Sequence, residues 1–157
     1  MLAIARDCLM LDDVRQRAVG TAALLLATDS DWKGDLANFL IEEIVPASRH
    51  GKLAFFLNFD RVPVGFITWA HLSEETEDRL LATLDPWLHI SEWNEGPALW
   101  VRWLYLPKPL VREGVSVCLS QLFPDDEVAR VMLDRKVART AIEINRHTVS
   151  RWGHAVH

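Results

Sequence analysis

The chain has 157 residues, half of them hydrophobic and a quarter charged, and its formal net charge at pH 7 is −5. This length and composition fit one ordinary domain, 1–157, with enough apolar residues to build a core. The acidic balance disfavours a general nucleic-acid-binding protein, because phosphate backbones favour clustered Lys and Arg. Cys8 and Cys118 lie far apart and lack Cys-x-x-Cys spacing. This pattern disfavours a disulfide scaffold or a thiolate zinc site, and it suits a reducing cytoplasm.

The first predicted element is a helix that begins at Asp12 and Asp13 and runs to about Ala27. Acidic residues in the first turn are favoured by the helix dipole. Its apolar end, 22–27, is too short to span a bilayer and lies behind acidic residues, unlike the core of a signal peptide. We therefore expect a buried helix here and no membrane span.

A second helix and a β-hairpin are predicted next. Asp35 is suited to cap the helix, and Pro46 is expected to end it. Three polar side chains are expected to face away from the core, namely Asn38, Glu42 and Glu43. The aromatic and β-branched runs 53–57 and 62–69 are joined by four residues with turn chemistry, which predicts an antiparallel hairpin.

The rest of the chain predicts two more helices and three more strands. Ser73 is expected to cap a helix, and 99–106 is predicted as a strand. The next helix carries an apolar stripe formed by Val111, Val115, Cys118, Leu119 and Leu122. The runs 128–133 and 137–144 predict a second hairpin, followed by a tail over 146–157. This order predicts an α+β fold with a mostly antiparallel sheet flanked by helices.

Five segments follow one another in an order and at a spacing found in a known family. They are 44–47 (Ile-Val-Pro-Ala), 62–73 (Val-Pro-Val-Gly-Phe-Ile-Thr-Trp-Ala-His-Leu-Ser), 92–96 (Glu-Trp-Asn-Glu-Gly), Trp100 with Pro107, and 123–125 (Phe-Pro-Asp). Together they resemble the RTX toxin-activating (hemolysin-activating) lysine acyltransferases, and the resemblance covers about 27–144. It implies a GNAT-like fold and the transfer of a fatty acyl group from acyl carrier protein to internal lysines of a protoxin, with no other cofactor.

The residues at the family's two catalytic positions differ in this chain. The family uses a His near its start and an Asp in the strand before a Pro-containing loop. Counting back from Pro46, the His position falls on Trp32; counting from Pro107, the Asp position falls on Trp103, with Arg102 beside it. Indole offers an N–H donor and cannot act as a base, so these rings are expected to fill the cleft or to form a wall around an apolar ligand. The predicted cleft residues are Trp32, Trp69, Arg102 and Trp103.

Histidines offer the remaining candidates for a base. His71 lies between a predicted strand end and a helix cap, where it is suited to serve as a substitute catalytic base or, alternatively, as a hydrogen-bonded structural residue. Three more histidines in the tail are His147, His154 and His157. They lack acids or cysteines at ligand spacing, so no metal site is predicted.

These observations leave two main hypotheses. The first is a protein lysine acyltransferase that takes its acyl group from acyl carrier protein. The second is a non-catalytic relative that keeps the fold and binds a protein, an acyl chain or another apolar ligand. A third is an interaction protein that uses only the scaffold, since fold alone does not define function. A cytoplasmic location and a homodimer are compatible with all three.

Overall fold

The computed structural model describes residues 13–83, 85–123, 128–135 and 138–144. Its centre is a five-stranded sheet in the order β1-β2-β3-β4-β5. The strands are β1 (Leu53–Leu57), β2 (Pro63–Leu72), β3 (Ala98–Tyr105), β4 (Ala129–Arg135) and β5 (Ala138–Ile144). Neighbouring strands are antiparallel except β3 and β4, which are parallel. The expected α+β, GNAT-like architecture and both hairpins are therefore confirmed.

Four helices accompany the sheet in the described part of the chain. They are α1 (Asp13–Ala27), α2 (Leu36–Phe39, Leu40–Ile44 and Val45–Arg49 in continuous succession), α3 (Glu74–Ala82) and α4 (Val111–Val117, continued by Cys118–Leu122). Short 3₁₀ turns occupy Ile90–Trp93 and Lys108–Leu110. No helix among these residues is long and apolar enough to cross a membrane. The predicted tail, 146–157, lies outside the described residues.

Both predicted helix caps are confirmed. The Asp35 carboxylate accepts a hydrogen bond from the Asn38 N–H at 3.1 Å. The Ser73 hydroxyl accepts one from the Thr76 N–H at 3.3 Å. Each bond satisfies a backbone donor that has no partner within the first helical turn, so the two helices begin where the sequence predicts.

The sequence predicted that the second helix ends at Pro46, and this prediction is wrong. It widens to a π-helical turn over Leu40–Ile44, in which the Val45 N–H donates to Leu40 O, and it then continues to Arg49. A proline lacks an N–H donor and crowds the carbonyl of the preceding turn, and a wider turn accommodates both defects. The π turn also changes which side chains face the sheet. Glu43, expected to face solvent, is fully buried.

A β-bulge interrupts the pairing of β2 with β3. Thr68 is opposite Trp103 and Trp69 is opposite Val101, so Arg102 is an extra residue in β3. A bulge redirects the side chains next to it. Arg102 and Trp103 consequently both face α2, where they contact Glu43 and Phe39, respectively. Parallel pairing of β3 with β4 occurs at only two positions and stops at Val101, just before the bulge.

The two faces of the sheet pack against different helices. Ile67 and Trp69 belong to a cluster with Cys118 on the α4 face, whereas Phe66 belongs to a cluster with Leu26 on the α1–α2 face. This division follows from the alternation of side chains along a strand. Cys118, predicted to be a core residue, is buried, and burial raises the pKa of its thiol to about 12.

Two glycine substitutions are expected to change stability in opposite directions. Gly20 lies in α1 with open space around it, so Gly20→Ala should raise the free energy of unfolding by about 0.5–1 kcal/mol. A Cβ on Gly96 would overlap the Leu72 carbonyl, so Gly96→Ala should lower it by about 1–3 kcal/mol. Urea unfolding of both variants measures the difference, and shifts of the same sign would contradict this packing.

Candidate functional site

A buried ion pair joins α2 to β3. Arg102 Nη2 donates to Glu43 Oε2 at 3.0 Å, and the exposed fractions of the two side chains are 5 % and 0 %. The Thr68 hydroxyl donates to Glu43 Oε1 at 2.7 Å, and Arg102 also donates to Pro86 O. Buried charges persist only when they are paired and hydrogen-bonded, as both are here. Both oxygens of the Glu43 carboxylate are therefore engaged.

Next to the ion pair lies an aromatic cluster that contains the two tryptophans predicted for the cleft. The ring centroids of Trp32 and Trp103 are 6.5 Å apart. Phe39 packs edge-to-face against both, at 5.1 Å from Trp32 and 4.9 Å from Trp103. These distances are typical of favourable aromatic pairs. Trp32 and Trp103 are each only half-buried, so part of each indole remains at the surface.

Two nitrogen donors at this site are buried without a hydrogen-bond partner in the described part of the chain. They are Trp32 Nε1 and Arg102 Nε. Burying a donor without a partner costs free energy, so an acceptor that reached either nitrogen would be stabilised there. Neither indole nor guanidinium accepts a proton at neutral pH. The site therefore offers ring surface and N–H donors rather than a base.

A tyrosine–aspartate pair borders the same cluster. The Tyr105 hydroxyl donates to Asp29 Oδ2 at 2.7 Å, and the Tyr105 ring stacks on Phe66 with a centroid distance of 5.3 Å. Burial and then the nearby Asp29 carboxylate raise the pKa of Tyr105 to about 12. The Tyr105 hydrogen bond, followed by one from the Asp31 N–H, lowers the pKa of Asp29. Asp29 is thus held ionised, which makes it a weaker base.

The structure does not bring all the predicted site residues together. Trp69 packs against Phe123 on the α4 face, with ring centroids 5.5 Å apart. His71 follows two residues later on the same face, and its Nδ1 lies 2.9 Å from Lys52 Nζ. Trp32, Trp103 and Arg102 face the opposite side of the sheet. Among the described residues, no group of three or more His, Cys, Asp or Glu could hold a metal; the tail histidines lie outside those residues.

Glu43, Phe39 and Tyr105 are site residues that the sequence did not single out. One signal for Glu43 was present, because Arg102 lies in an otherwise apolar strand and a buried cation needs an acid. Spacing along the chain does not identify which of its many acids that is. The π turn that buries Glu43 arises from local competition around Pro46, and helical periodicity does not anticipate it.

A single five-stranded sheet with one parallel pair of strands beside a bulge, covered by helices on both faces, defines the chain as a GNAT-like α+β protein. A family model described as the RTX toxin acyltransferase family matches residues 13–146. The chain therefore belongs to the RTX toxin acyltransferase family, whose function is toxin activation by acyl transfer. No curated protein matches the chain.

The ion pair can be tested by a double-mutant cycle. Arg102→Met leaves the Glu43 carboxylate buried without its cation, so the free energy of unfolding should fall by about 3–5 kcal/mol. The double variant Glu43→Gln with Arg102→Met removes both charges, so its free energy of unfolding should fall by less than that of Arg102→Met alone. Urea unfolding of the four proteins measures the coupling. Additive losses would contradict a direct interaction.

The chain contains one tyrosine, so phenolate absorbance reports Tyr105 alone. The titration midpoint of the native protein should be about 12, against about 10 in urea. Because the folded pKa is raised, the stability that Tyr105 contributes is complete below about pH 10 and is lost toward pH 12. Asp29→Asn should lower the midpoint only in part, because burial is the larger cause. A native midpoint near 10 would contradict the Tyr105–Asp29 geometry.

Proposed function

We propose that this chain uses the acyltransferase fold of its family to bind an acyl chain carried by acyl carrier protein, and that it does not transfer the chain to lysine. The observation that carries the proposal is the contact between Trp32 and Trp103, whose ring centroids are 6.5 Å apart. These positions were located in the sequence from two separate anchors, Pro46 and Pro107. Their contact supports the alignment, because a base and the acid that orients it must be neighbours.

The chemistry of the two side chains supports binding rather than transfer. Acyl transfer to an amine needs a group that removes a proton, and indole cannot supply it. Glu43, the buried acid of this site, is engaged with Thr68 and Arg102. The partly exposed rings instead offer apolar surface for an acyl chain. A thioester carbonyl would supply an acceptor for the unpaired Trp32 Nε1.

Tryptophan fluorescence tests this binding. Octanoyl acyl carrier protein should change the emission of the native protein saturably, whereas acyl carrier protein without its acyl group should bind at least about tenfold more weakly because the apolar contact is lost. Trp103→Phe should reduce the change. Trp69→Phe is the matched control, because Trp69 faces α4, and it should leave the titration unchanged. Equal changes in emission with the acylated and the unacylated carrier would contradict the proposal.

The second candidate function is transfer that uses His71 as a substitute base. The 2.9 Å contact of His71 Nδ1 with Lys52 Nζ counts against it, because a ring whose Nδ1 accepts from an ammonium carries its proton on Nε2 and has no free lone pair for a second proton. This function predicts that His71→Gln abolishes the acylation of lysine in a host extract, while His50→Gln, the control, preserves it. Absence of acylation in the native protein would remove this candidate.

A further inference from the structure

An apolar groove lies away from the Trp32–Trp103 site, between the β1–β2 hairpin and α4. Its volume is about 510 Å³, and neither tryptophan lines it. We propose that this groove, together with the edge of β1 that no described strand covers, binds an extended apolar peptide segment of a partner protein that carries a basic side chain. The proposal goes beyond the acyl-binding function, since it concerns a different surface and a different ligand.

The shape of the groove follows the edge of the sheet. Five consecutive residues, 55–59, contribute to its wall. The first three, 55–57, belong to β1 and alternate between the two faces of the sheet, so a cavity that touches all three runs along the strand edge rather than beneath one face. Gly114 and Leu106 form part of the opposite wall, and a Cβ on Gly114 would collide with the Leu106 side chain. Because Gly114 has no side chain, the Leu106 side chain can pack against its backbone in this wall.

The backbone of β1 presents hydrogen-bonding groups to this edge. In the described sheet β1 pairs only with β2. The Trp69 N–H donates to Lys52 O and the Asn58 N–H donates to Val62 O. Hydrogen-bonded and non-hydrogen-bonded pairs alternate in an antiparallel ladder, so the intervening odd-numbered residues turn their N–H and C=O groups outward. They are Leu53, Phe55 and Leu57.

These features together favour a peptide over a lipid chain. An acyl chain would fill the groove but leave the outward backbone groups of β1 unpaired, whereas an added strand pairs with them. Large apolar side chains lie exposed beside the groove, and Phe59 is 100 % exposed. Glu113 is the one charged residue among those lining the groove. It favours a Lys or Arg in the occupant.

The test uses a fluorescein-labelled nine-residue peptide of alternating Val and Thr with a central Lys, measured by fluorescence anisotropy against the full chain. Two N-methylated versions, modified at the odd or at the even residues, provide a matched pair. Strand addition uses the N–H groups of alternate residues only. One version should therefore bind at least about tenfold more weakly, and the other should bind like the parent peptide.

Protein variants locate the site. Phe59→Ser should weaken the peptide about tenfold, because a large apolar contact is lost. Ile41→Ser, which removes an exposed apolar side chain from α2, should leave the affinity unchanged. Glu113→Arg should reverse an approximately threefold preference for the Lys peptide over its Glu counterpart.

Four results would overturn the proposal. They are no saturable binding of the peptide, equal binding of both N-methylated versions, equal loss in Phe59→Ser and Ile41→Ser, and displacement of the peptide by octanoate at equal concentration. The last would assign the groove to an acyl chain. Because Trp103 does not line the groove, Trp103→Phe should leave peptide binding intact. Failure here is therefore distinguishable from failure of acyl binding at the tryptophan site.

Discussion

The buried ion pair between Glu43 and Arg102 is the constraint on which the geometry of the site depends. Two local irregularities make it possible: a π turn before Pro46 rotates Glu43 toward the sheet, and a bulge in β3 directs Arg102 toward the helix. Either irregularity alone would leave a charge in the core without its partner, at a cost of several kcal/mol. The ion pair therefore fixes the position of α2 on the sheet. The aromatic cluster forms beside this ion pair.

The same bulge determines what this site can do chemically. It places Trp103 on the same face as Arg102, where the indole meets Trp32 and Phe39. A site that holds a base and an acid performs proton transfer, whereas a site made of two indoles offers a surface and N–H donors. The chain retains the family fold, and our alignment of its two key positions implies that the chemistry there is changed. That replacement is the basis of the binding without transfer that we propose.

Most of the fold was predictable from local sequence signals. The caps Asp35 and Ser73, the hairpins, and the apolar stripe of α4 each depend on residues within a few positions of one another. Glu43 was predicted on the wrong face, because its burial depends on a partner in β3 that is distant in sequence. Of the predicted cleft residues, Trp32, Arg102 and Trp103 meet in space. Trp69 lies on the opposite face of the sheet, because the alternation of side chains along β2 directs it toward α4.

We propose that the paired tryptophans have replaced proton-transfer chemistry with binding. The most direct measurement is intact-mass spectrometry of the purified chain mixed with carrier protein bearing an isotope-labelled acyl group and a host extract. Binding without transfer predicts that the label stays on the carrier while a carrier–chain complex forms, and that neither the chain nor any extract protein gains an acylated lysine. Labelling of a lysine that occurs only when this chain is present would contradict the proposal, because it would show that transfer has been retained.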